Sequence, residues 1–223
     1  MPAFICTTCG TQYPPSEAPP AQCVICEEER QYVPPSGQSW IAPERLAARH
    51  ANTFRQHEPG LISIGSLPTF AIGQRALLVC TPAGNVLWDC ISLLDDASVA
   101  VIKGLGGLKA IAISHPHFYT TMVDWSRAFD CPVHLHGADR TWVMRPDPAI
   151  QFWQGDTHRL WDGVTLVRAL REMPQYDDVA LLVLSTETGA DLKAKGREAG
   201  ATGWMAKPFD PEKMVEIVRQ FVS

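Results

Sequence analysis

The chain has 223 residues and a mass of 24.6 kDa, and 46% of its residues are hydrophobic while 19% are charged. This composition predicts a folded chain with a substantial apolar core and room for one small additional segment. The net charge of −5 and the pI of about 5.8 lack the basic excess that sequence-independent binding of nucleic acid requires. We therefore expect no nucleic-acid partner.

The apolar runs of the chain are short and strand-like. None approaches the roughly 20 residues that a membrane-spanning helix needs. The first six residues, MPAFIC, do not show the basic segment and apolar stretch of a secretory signal. We therefore expect a cytoplasmic chain with no membrane partner.

Residues 1–37 are rich in proline, cysteine and polar residues. Proline pairs at positions 14–15, 19–20 and 34–35 exclude a helix or a central strand there. Such a segment cannot build an apolar core from its own side chains, so another interaction must hold it together.

Two C-x-x-C pairs, separated by 13 residues, supply that interaction: Cys6 with Cys9, and Cys23 with Cys26. Each pair places two thiolates on one tight turn, and two such turns close a tetrahedron around Zn²⁺. We predict a four-cysteine zinc knuckle, and a structural one, because four thiolates leave no open coordination position. A redox dithiol is the weaker alternative, since no βαβ pattern surrounds the first pair.

Residues 38–161 alternate between strand-like and helix-like patterns. Strands are predicted at 61–64, 75–80, 85–90, 110–114 and 132–136, and helices at 92–105 and 119–129. Gly84 and Asn85 form a hairpin signal between the second and third strands. The strand, helix, strand order over 110–136 predicts a βαβ unit with two parallel strands.

Two H-x-H pairs follow this pattern. His115 and His117 come after the strand 110–114, and α/β folds bind ligands at the carboxyl ends of their strands. In extended chain, two imidazoles at i and i+2 lie on one side and can share a cation. His134 and His136 lie on the next strand, where ordinary, partly buried strand residues are the favoured interpretation. If the two strands are neighbours, four imidazoles could converge.

Residues 38–161 resemble the metallo-β-lactamase superfamily. The resemblance is carried by GNVLWDC at 84–90, GGLKAIAI at 106–113 and SHPHFY at 114–119. The family motif H-x-H-x-D-H matches His115 and His117, whereas Tyr119 and Thr120 replace its Asp and last His. A subgroup with S-H-P-H-x-Y and a cysteine-rich N-terminal knuckle is the nearest match, so the resemblance extends over residues 1–37.

The resemblance implies half of an αβ/βα sandwich. The family fold has two similar halves, and the second supplies further metal ligands, including a final histidine. All seven histidines of this chain lie at or before position 158. We therefore expect the first half alone, with an incomplete version of the usual dinuclear site.

The resemblance also implies a divalent metal at His115 and His117. Two imidazoles hold such a metal only loosely, and a catalytic zinc site normally has three protein ligands and a water. Residues near the ends of neighbouring strands are the candidate third ligands: Asp89, His136 and Asp139. Tyr119 would instead hydrogen-bond a substrate oxyanion.

Residues 162–223 resemble the C-terminal half of a chemotaxis-type response-regulator receiver. The matching segments are DGVTLVRALR at 162–171, LVLSTE at 182–187 and GATGWMAKPF at 200–209. The resemblance implies that Ser185 and Lys207 correspond to residues that hold a phosphoryl group. The receiver half with the phosphorylated Asp is missing, so these two form a vestigial site without phosphorelay activity.

We therefore predict an α/β chimera joined near 162–168. Its domains would be the zinc knuckle (1–37), a metallo-β-lactamase-like half (38–161) and a receiver-like, flavodoxin-like half (162–223) that completes the open sheet. The apolar strand at 179–184 needs cover on both faces, so the tail should pack onto the first domain. Natural recombination, a cloned environmental fragment and design would each leave such a join.

Two functions are weighed. The first is a metal-dependent hydrolase of small-molecule esters or phosphoesters, weak and promiscuous because the second-half ligands are missing. The alternative is a non-catalytic, zinc-binding chimeric interaction protein built on the knuckle. Exposed sheet edges would allow a homodimer in either case.

Overall fold

A computed structural model describes residues 1–27, 37–155, 158, 160, 182–185, 193, 194, 197, 198 and 200–206. The chain separates into two compact units, Met1–Gln154 and Gly155–Ser223. Each unit is a mixture of strands with helices or helical turns. The predicted join near 162–168 lies outside the described residues.

The N-terminal segment is closed by a short strand pair. β1 (Ile5–Cys6) pairs antiparallel with β2 (Trp40–Ile41). Helix α1 (Pro43–Ala47) follows and begins with proline, which is favoured in the first turn of a helix because its missing N–H is not needed there. The segment containing the four cysteines therefore belongs to the first unit rather than standing apart from it.

The rest of the first unit is built on a mixed sheet of seven strands, whose spatial order is the chain order. The strands are β3 (Ala51–Glu58), β4 (Leu61–Leu67), β5 (Ala76–Val79), β6 (Val86–Trp88), β7 (Ala110–Ala112), β8 (Val133–His136) and β9 (Ile150–Trp153). Strands β3 to β6 run antiparallel to their neighbours, and β6 to β9 run parallel. The predicted hairpin at Gly84-Asn85 joins β5 to β6 and is confirmed.

Two α-helices make the first two of the three parallel connections. Helix α2 (Asp96–Gly104) links β6 to β7, and its N-cap Asp95 accepts a hydrogen bond of 2.7 Å from the backbone of Ser98. Helix α3 (Met122–Phe129) links β7 to β8. The predicted βαβ unit is therefore confirmed, and the carboxyl ends of β6, β7 and β8 share one edge of the sheet.

Both helices begin later than predicted, for local reasons. Ile91 and Leu93 are buried in the core, so the chain after β6 crosses the core before α2 begins. Before α3, Pro116–Phe118 forms a 3₁₀ turn that Tyr119 caps, and Thr120 has a non-helical φ of 30°, so the helix begins only at Met122. The displaced starts leave two irregular segments at the shared edge of the sheet.

The second unit contains a parallel pair of strands. β10 (Leu182–Ser185) pairs with β11 (Gly203–Ala206), from Leu182 opposite Gly203 to Ser185 opposite Ala206. The apolar strand predicted at 179–184 overlaps β10. Lys207 lies outside the described residues. Within the described part of the chain, no helix is long and apolar enough to cross a bilayer.

Candidate metal-binding sites

The four cysteines form one compact cluster, as predicted. The Sγ atoms of Cys6 and Cys26 lie 3.7 Å apart, those of Cys9 and Cys23 lie 3.5 Å apart, and all four lie within 4.8 Å of one another. All four are free thiols and buried. In a tetrahedron with Zn–S bonds of about 2.3 Å, neighbouring sulfurs lie about 3.8 Å apart. The sulfur positions therefore fit a closed Zn²⁺ site.

Two tight turns create this arrangement. The backbone N–H of Gly10 donates to the carbonyl of Cys6 at 2.8 Å, and that of Cys26 donates to Cys23 at 2.9 Å. Gly10 adopts φ +80°, a conformation that favours glycine, and a Cβ there would clash with the Ser92 hydroxyl oxygen. Glycine is therefore required where the first turn meets the body of the unit.

The thiols perturb one another's ionisation. The Cys26 thiol is the main cause that lowers the pKa of Cys23 to about 7, and hydrogen bonding to Cys23 lowers the pKa of Cys6. The same contact with Cys23 raises the pKa values of Cys9 and Cys26. The cluster alone therefore cannot carry four thiolates at neutral pH, and a bound dication would make that state favourable.

Two side chains outside the cluster support the second turn. The Tyr13 hydroxyl donates to Cys23 Sγ at 3.5 Å and accepts from the backbone of Val24 at 3.0 Å. Burial raises the pKa of Tyr13, so its hydroxyl remains a donor. The Gln38 side chain accepts from the backbone N–H of Cys23 at 2.7 Å. Neither residue belongs to the C-x-x-C pattern, and sequence analysis missed both.

His115 and His117 are brought together just after β7. Their ring centroids lie 4.9 Å apart with planes at 16°, and their Nδ1 atoms lie 3.0 Å apart. The prediction of extended chain here was wrong, because the 3₁₀ turn that begins at Pro116 folds the backbone between them. His115 Nδ1 also accepts from the backbone N–H of His117 at 3.3 Å. The turn, rather than strand geometry, pairs the rings.

Asp89 supports this pair from the neighbouring strand. It follows β6 with φ +63° and is buried. Its Oδ1 accepts from the backbone N–H of Ser114 at 2.8 Å and from the Ser114 hydroxyl at 2.9 Å. The carboxylate therefore fixes the residue that precedes His115.

The other predicted members of the site lie around β8. The His136 ring packs edge-on against Trp153 at 4.6 Å, and its Nδ1 accepts from the backbone of Ala138 at 3.2 Å. Tyr119 is buried, and burial together with the Asp139 carboxylate raises its pKa, so its phenol stays protonated. His134 is a buried residue of β8, in line with its ordinary interpretation.

The two H-x-H strands are neighbours, since β7 pairs with β8. Even so, their four imidazoles do not form one cluster. Among the described residues, only the four cysteines make a group of three or more His, Cys, Asp or Glu side chains close enough to share an ion. His115 and His117 stand as a pair. In the second unit, Ser185 ends β10, whereas its predicted partner Lys207 lies outside the described residues.

No family model matches the chain. It is 45% identical over 170 residues to the uncharacterized protein YmaE of Bacillus subtilis (strain 168). The aligned residues are 75% of this chain and 62% of the relative. It is also 28% identical over 61 residues to the probable transcriptional regulator ycf29 of Porphyra purpurea. These residues are 27% of this chain and 29% of that relative. The chain thus spans less than two thirds of the length of either relative.

Among solved structures, the chain is similar to a B3 metallo-β-lactamase described as the first with an active-site glutamic acid. The likeness has a TM-score of 0.29 and 20% sequence identity, and it covers 46% of this chain and 40% of the other. A likeness of this size establishes neither a shared fold nor a shared activity. What the structure shows is an α/β unit with a large mixed sheet and a four-cysteine cluster.

Proposed function

We propose that this chain is a metal-dependent hydrolase of esters or phosphoesters, with a structural Zn²⁺ in the cysteine cluster and the reaction at His115 and His117. The observation that carries the proposal is the pairing of these imidazoles after β7, with Nδ1 atoms 3.0 Å apart. Two imidazole nitrogens bound about 2.0–2.1 Å from a tetrahedral zinc would be about 3.3–3.4 Å apart. A small opening of the pair would therefore give the spacing at which two imidazoles share one divalent metal.

The histidine pair supplies two protein ligands, whereas catalytic zinc sites normally have three. A divalent metal bound there would polarise a carbonyl or phosphoryl oxygen and lower the pKa of a bound water. With two imidazoles as its protein ligands among the described residues, such a metal would hold water at its other positions. This incomplete set is the reason to expect slow turnover of several activated substrates.

Two neighbouring groups have roles in the proposal. Asp89 fixes Ser114 by two hydrogen bonds, and it thereby positions the backbone that carries His115. Tyr119 keeps its proton because burial raises its pKa, so its hydroxyl is suited to donate a hydrogen bond to a developing oxyanion. Asp89 is thus a positioning residue in this proposal, rather than the third metal ligand.

The test compares metal content and hydrolysis in three proteins. Wild type, His115→Ala/His117→Ala and the control His50→Ala/His57→Ala are assayed with 4-nitrophenyl acetate and bis(4-nitrophenyl) phosphate. We expect metal-dependent turnover in wild type and in the control, and a loss of about 100-fold in the first variant, as for severe damage to a metal site. Metal-loaded wild type that hydrolyses neither substrate, or full activity in His115→Ala/His117→Ala, would reject the enzyme proposal.

A second candidate is a non-catalytic zinc-binding interaction protein. The observation that favours it is the contrast between four clustered cysteines and only two paired histidines among the described residues. Elemental analysis separates the two functions. One zinc per chain, unchanged in His115→Ala/His117→Ala, supports the interaction protein, whereas a second equivalent that this variant loses supports the hydrolase.

We also propose that residues 162–223 are a receiver-like segment without phosphorelay activity. The parallel pairing of β10 with β11 supports this proposal, because alternating strands and helices give parallel neighbours. Ser185 and Lys207 would be its vestigial site. Incubation with acetyl phosphate and Mg²⁺ should leave the intact mass unchanged, and a stable gain of one phosphoryl group would contradict the proposal.

A further inference from the structure

A buried glutamine touches both candidate metal sites. Gln74 lies in the loop before β5 and is 8% exposed. Its Nε2 donates to the backbone carbonyl of Cys9 and, at 3.0 Å, to that of His117. Cys9 is a member of the cysteine cluster and His117 is a member of the histidine pair. One side-chain amide therefore holds one backbone group from each site.

Neighbouring contacts extend this connection along the same turn. The Ser92 hydroxyl donates to the carbonyl of Gly10 at 3.0 Å, and the backbone N–H of Gln12 donates to the carbonyl of Thr120 at 3.1 Å. Thr120 has a positive φ of 30°. The turn that carries Cys9 thus contacts the segment directly after His117 and supports it in an uncommon backbone conformation.

A polar network joins the turn to helix α3. Gln12 Nε2 donates to Asp124 Oδ2 at 2.8 Å, and Arg145 donates to Asp124 Oδ1 at 2.7 Å and to the side-chain oxygen of Gln12. Asp124 lies in the first turn of α3, which begins five residues after His117. The segment from His117 to the start of α3 is therefore tied to the cysteine turn at both of its ends.

The cysteines make up most of one small buried cluster in their segment. This buried cluster consists of the four cysteines with Tyr13 and Ile25, against which three partly buried side chains pack. The sulfurs are thus a large share of that small core, and an ion that joins them would supply much of its stability. The position of the Cys9 carbonyl should then depend on whether the cluster is occupied.

We propose that Gln74 is a positioning residue that couples metal occupancy of the cysteine cluster to the geometry of the histidine pair. When metal occupies the cluster, Gln74 donates to both carbonyls and positions the backbone of His117. When the metal leaves, the Cys9 carbonyl moves, and the hydrogen bond from Gln74 to His117 weakens. Because such coupling is reciprocal, an ordered histidine loop also favours metal in the cluster. The inference rests on the proposed zinc in the cluster and does not require hydrolysis.

The test uses hydrogen–deuterium exchange of the full chain, followed by mass spectrometry over residues 114–121. Gln74→Met removes both donated hydrogen bonds and keeps a side chain of similar length. Gln38→Met is the matched control, because the Gln38 side chain holds the backbone of Cys23. Each protein is measured with its zinc, counted by elemental analysis, and again after chelation.

We expect chelation to speed exchange of residues 114–121 about 10-fold in wild type and in Gln38→Met, within the usual range of site coupling. In Gln74→Met the loop should exchange about 10-fold faster even with one zinc bound, and chelation should add little. Wild-type rates in zinc-bound Gln74→Met overturn the coupling and leave the zinc site standing. A wild type without zinc at the cluster overturns both proposals.

A further comparison does not depend on the folding of Gln74→Met. In His115→Ala/His117→Ala the pair has lost its own ligands, so chelation can act only through the cluster. Exchange of residues 114–121 should still rise on chelation, while the β3–β4 hairpin (51–67) stays unchanged as an internal reference. An unchanged loop in this variant overturns the coupling.

Discussion

The cysteine cluster and the histidine pair are both built from short motifs, yet the structure completes only the first among its described residues. The four cysteines lie between positions 6 and 26, on two turns that face each other. The histidines lie at the edge of a sheet, where additional ligands must come from other strands or loops. A site whose ligands are local in sequence is thus complete by itself, whereas a site at a sheet edge depends on distant parts of the chain.

The two regions also differ in what holds them together. The cysteines make up most of one small buried cluster, whereas the pair follows β7, a buried strand with β6 and β8 on either side. Metal should therefore matter more for the order of the first region than for that of the second. In the second region, hydrogen bonds and apolar packing should keep the loop near its position without an ion.

The largest effect should follow from breaking the cluster. In Cys9→Ser/Cys23→Ser we expect the loss of one zinc per chain and rapid proteolysis within residues 1–27, since zinc contributes about 10–16 kcal/mol in small thiolate-bound domains. Elemental analysis and limited proteolysis measure both. Cys80→Ser is the control, because Cys80 is a free thiol outside the cluster. Equal zinc content in the double variant would show that the cluster is not the zinc site.

A smaller effect should follow from loosening the histidine loop. Asp89→Ala removes the carboxylate that accepts from the N–H and hydroxyl of Ser114. Because Ser114 is exposed and water can solvate it, each lost hydrogen bond costs about 0.5–1.5 kcal/mol. We expect a loss of about 1–2 kcal/mol in urea unfolding. Asp89→Asn should lose less, because asparagine accepts hydrogen bonds and tolerates the positive φ. An unchanged urea midpoint in Asp89→Ala would mean that the loop is held by other contacts.

The parts that sequence predicts well are those with local signals. The C-x-x-C spacing predicts the cluster, the Gly84-Asn85 turn predicts a hairpin, and the strand 110–114 contains the buried β7. In each case the deciding interaction joins residues close in the chain or follows from an unbroken apolar run. These signals are enough to predict the βαβ unit and the edge where the histidines lie.

The parts that sequence misses depend on tertiary contacts. β3 is an edge strand with mostly exposed, polar residues, so it has no apolar run to mark it. His136 packs against Trp153 of β9, a strand that was not predicted either. Gln74 belongs to no motif, and its role depends on carbonyl groups 65 and 43 positions away in the chain. Such contacts exist only once the sheet has assembled.

The smallest expected effect is that of lowering the pH, and it should differ between the two regions. Zinc held by thiolates should leave as the pH falls, because protons compete for the sulfurs. The parallel half of the sheet, β6 to β9, should lose much less of its stability over the same fall in pH. Its best-defined acid-sensitive group is Asp147, which precedes β9 and accepts from the backbone of Ala149 at 3.0 Å and from Arg127 at 2.8 Å. The Ala149 hydrogen bond is the main cause that lowers the pKa of Asp147 below 3.8.

Because the folded-state pKa of Asp147 is depressed, its contribution to stability is complete above about pH 4 and is lost as the pH falls through the folded value. Asp147→Asn keeps an acceptor for Ala149 but removes the charge. At pH 7 we expect it to be less stable than wild type by under about 1 kcal/mol, since Arg127 is 63% exposed and water screens the ion pair. At pH 2.5 the difference should shrink. Urea midpoints at both pH values measure this, with Asp130→Asn as the control at an exposed aspartate. A gap that widens on acidification would show that the Asp147 charge does not stabilise this half of the sheet.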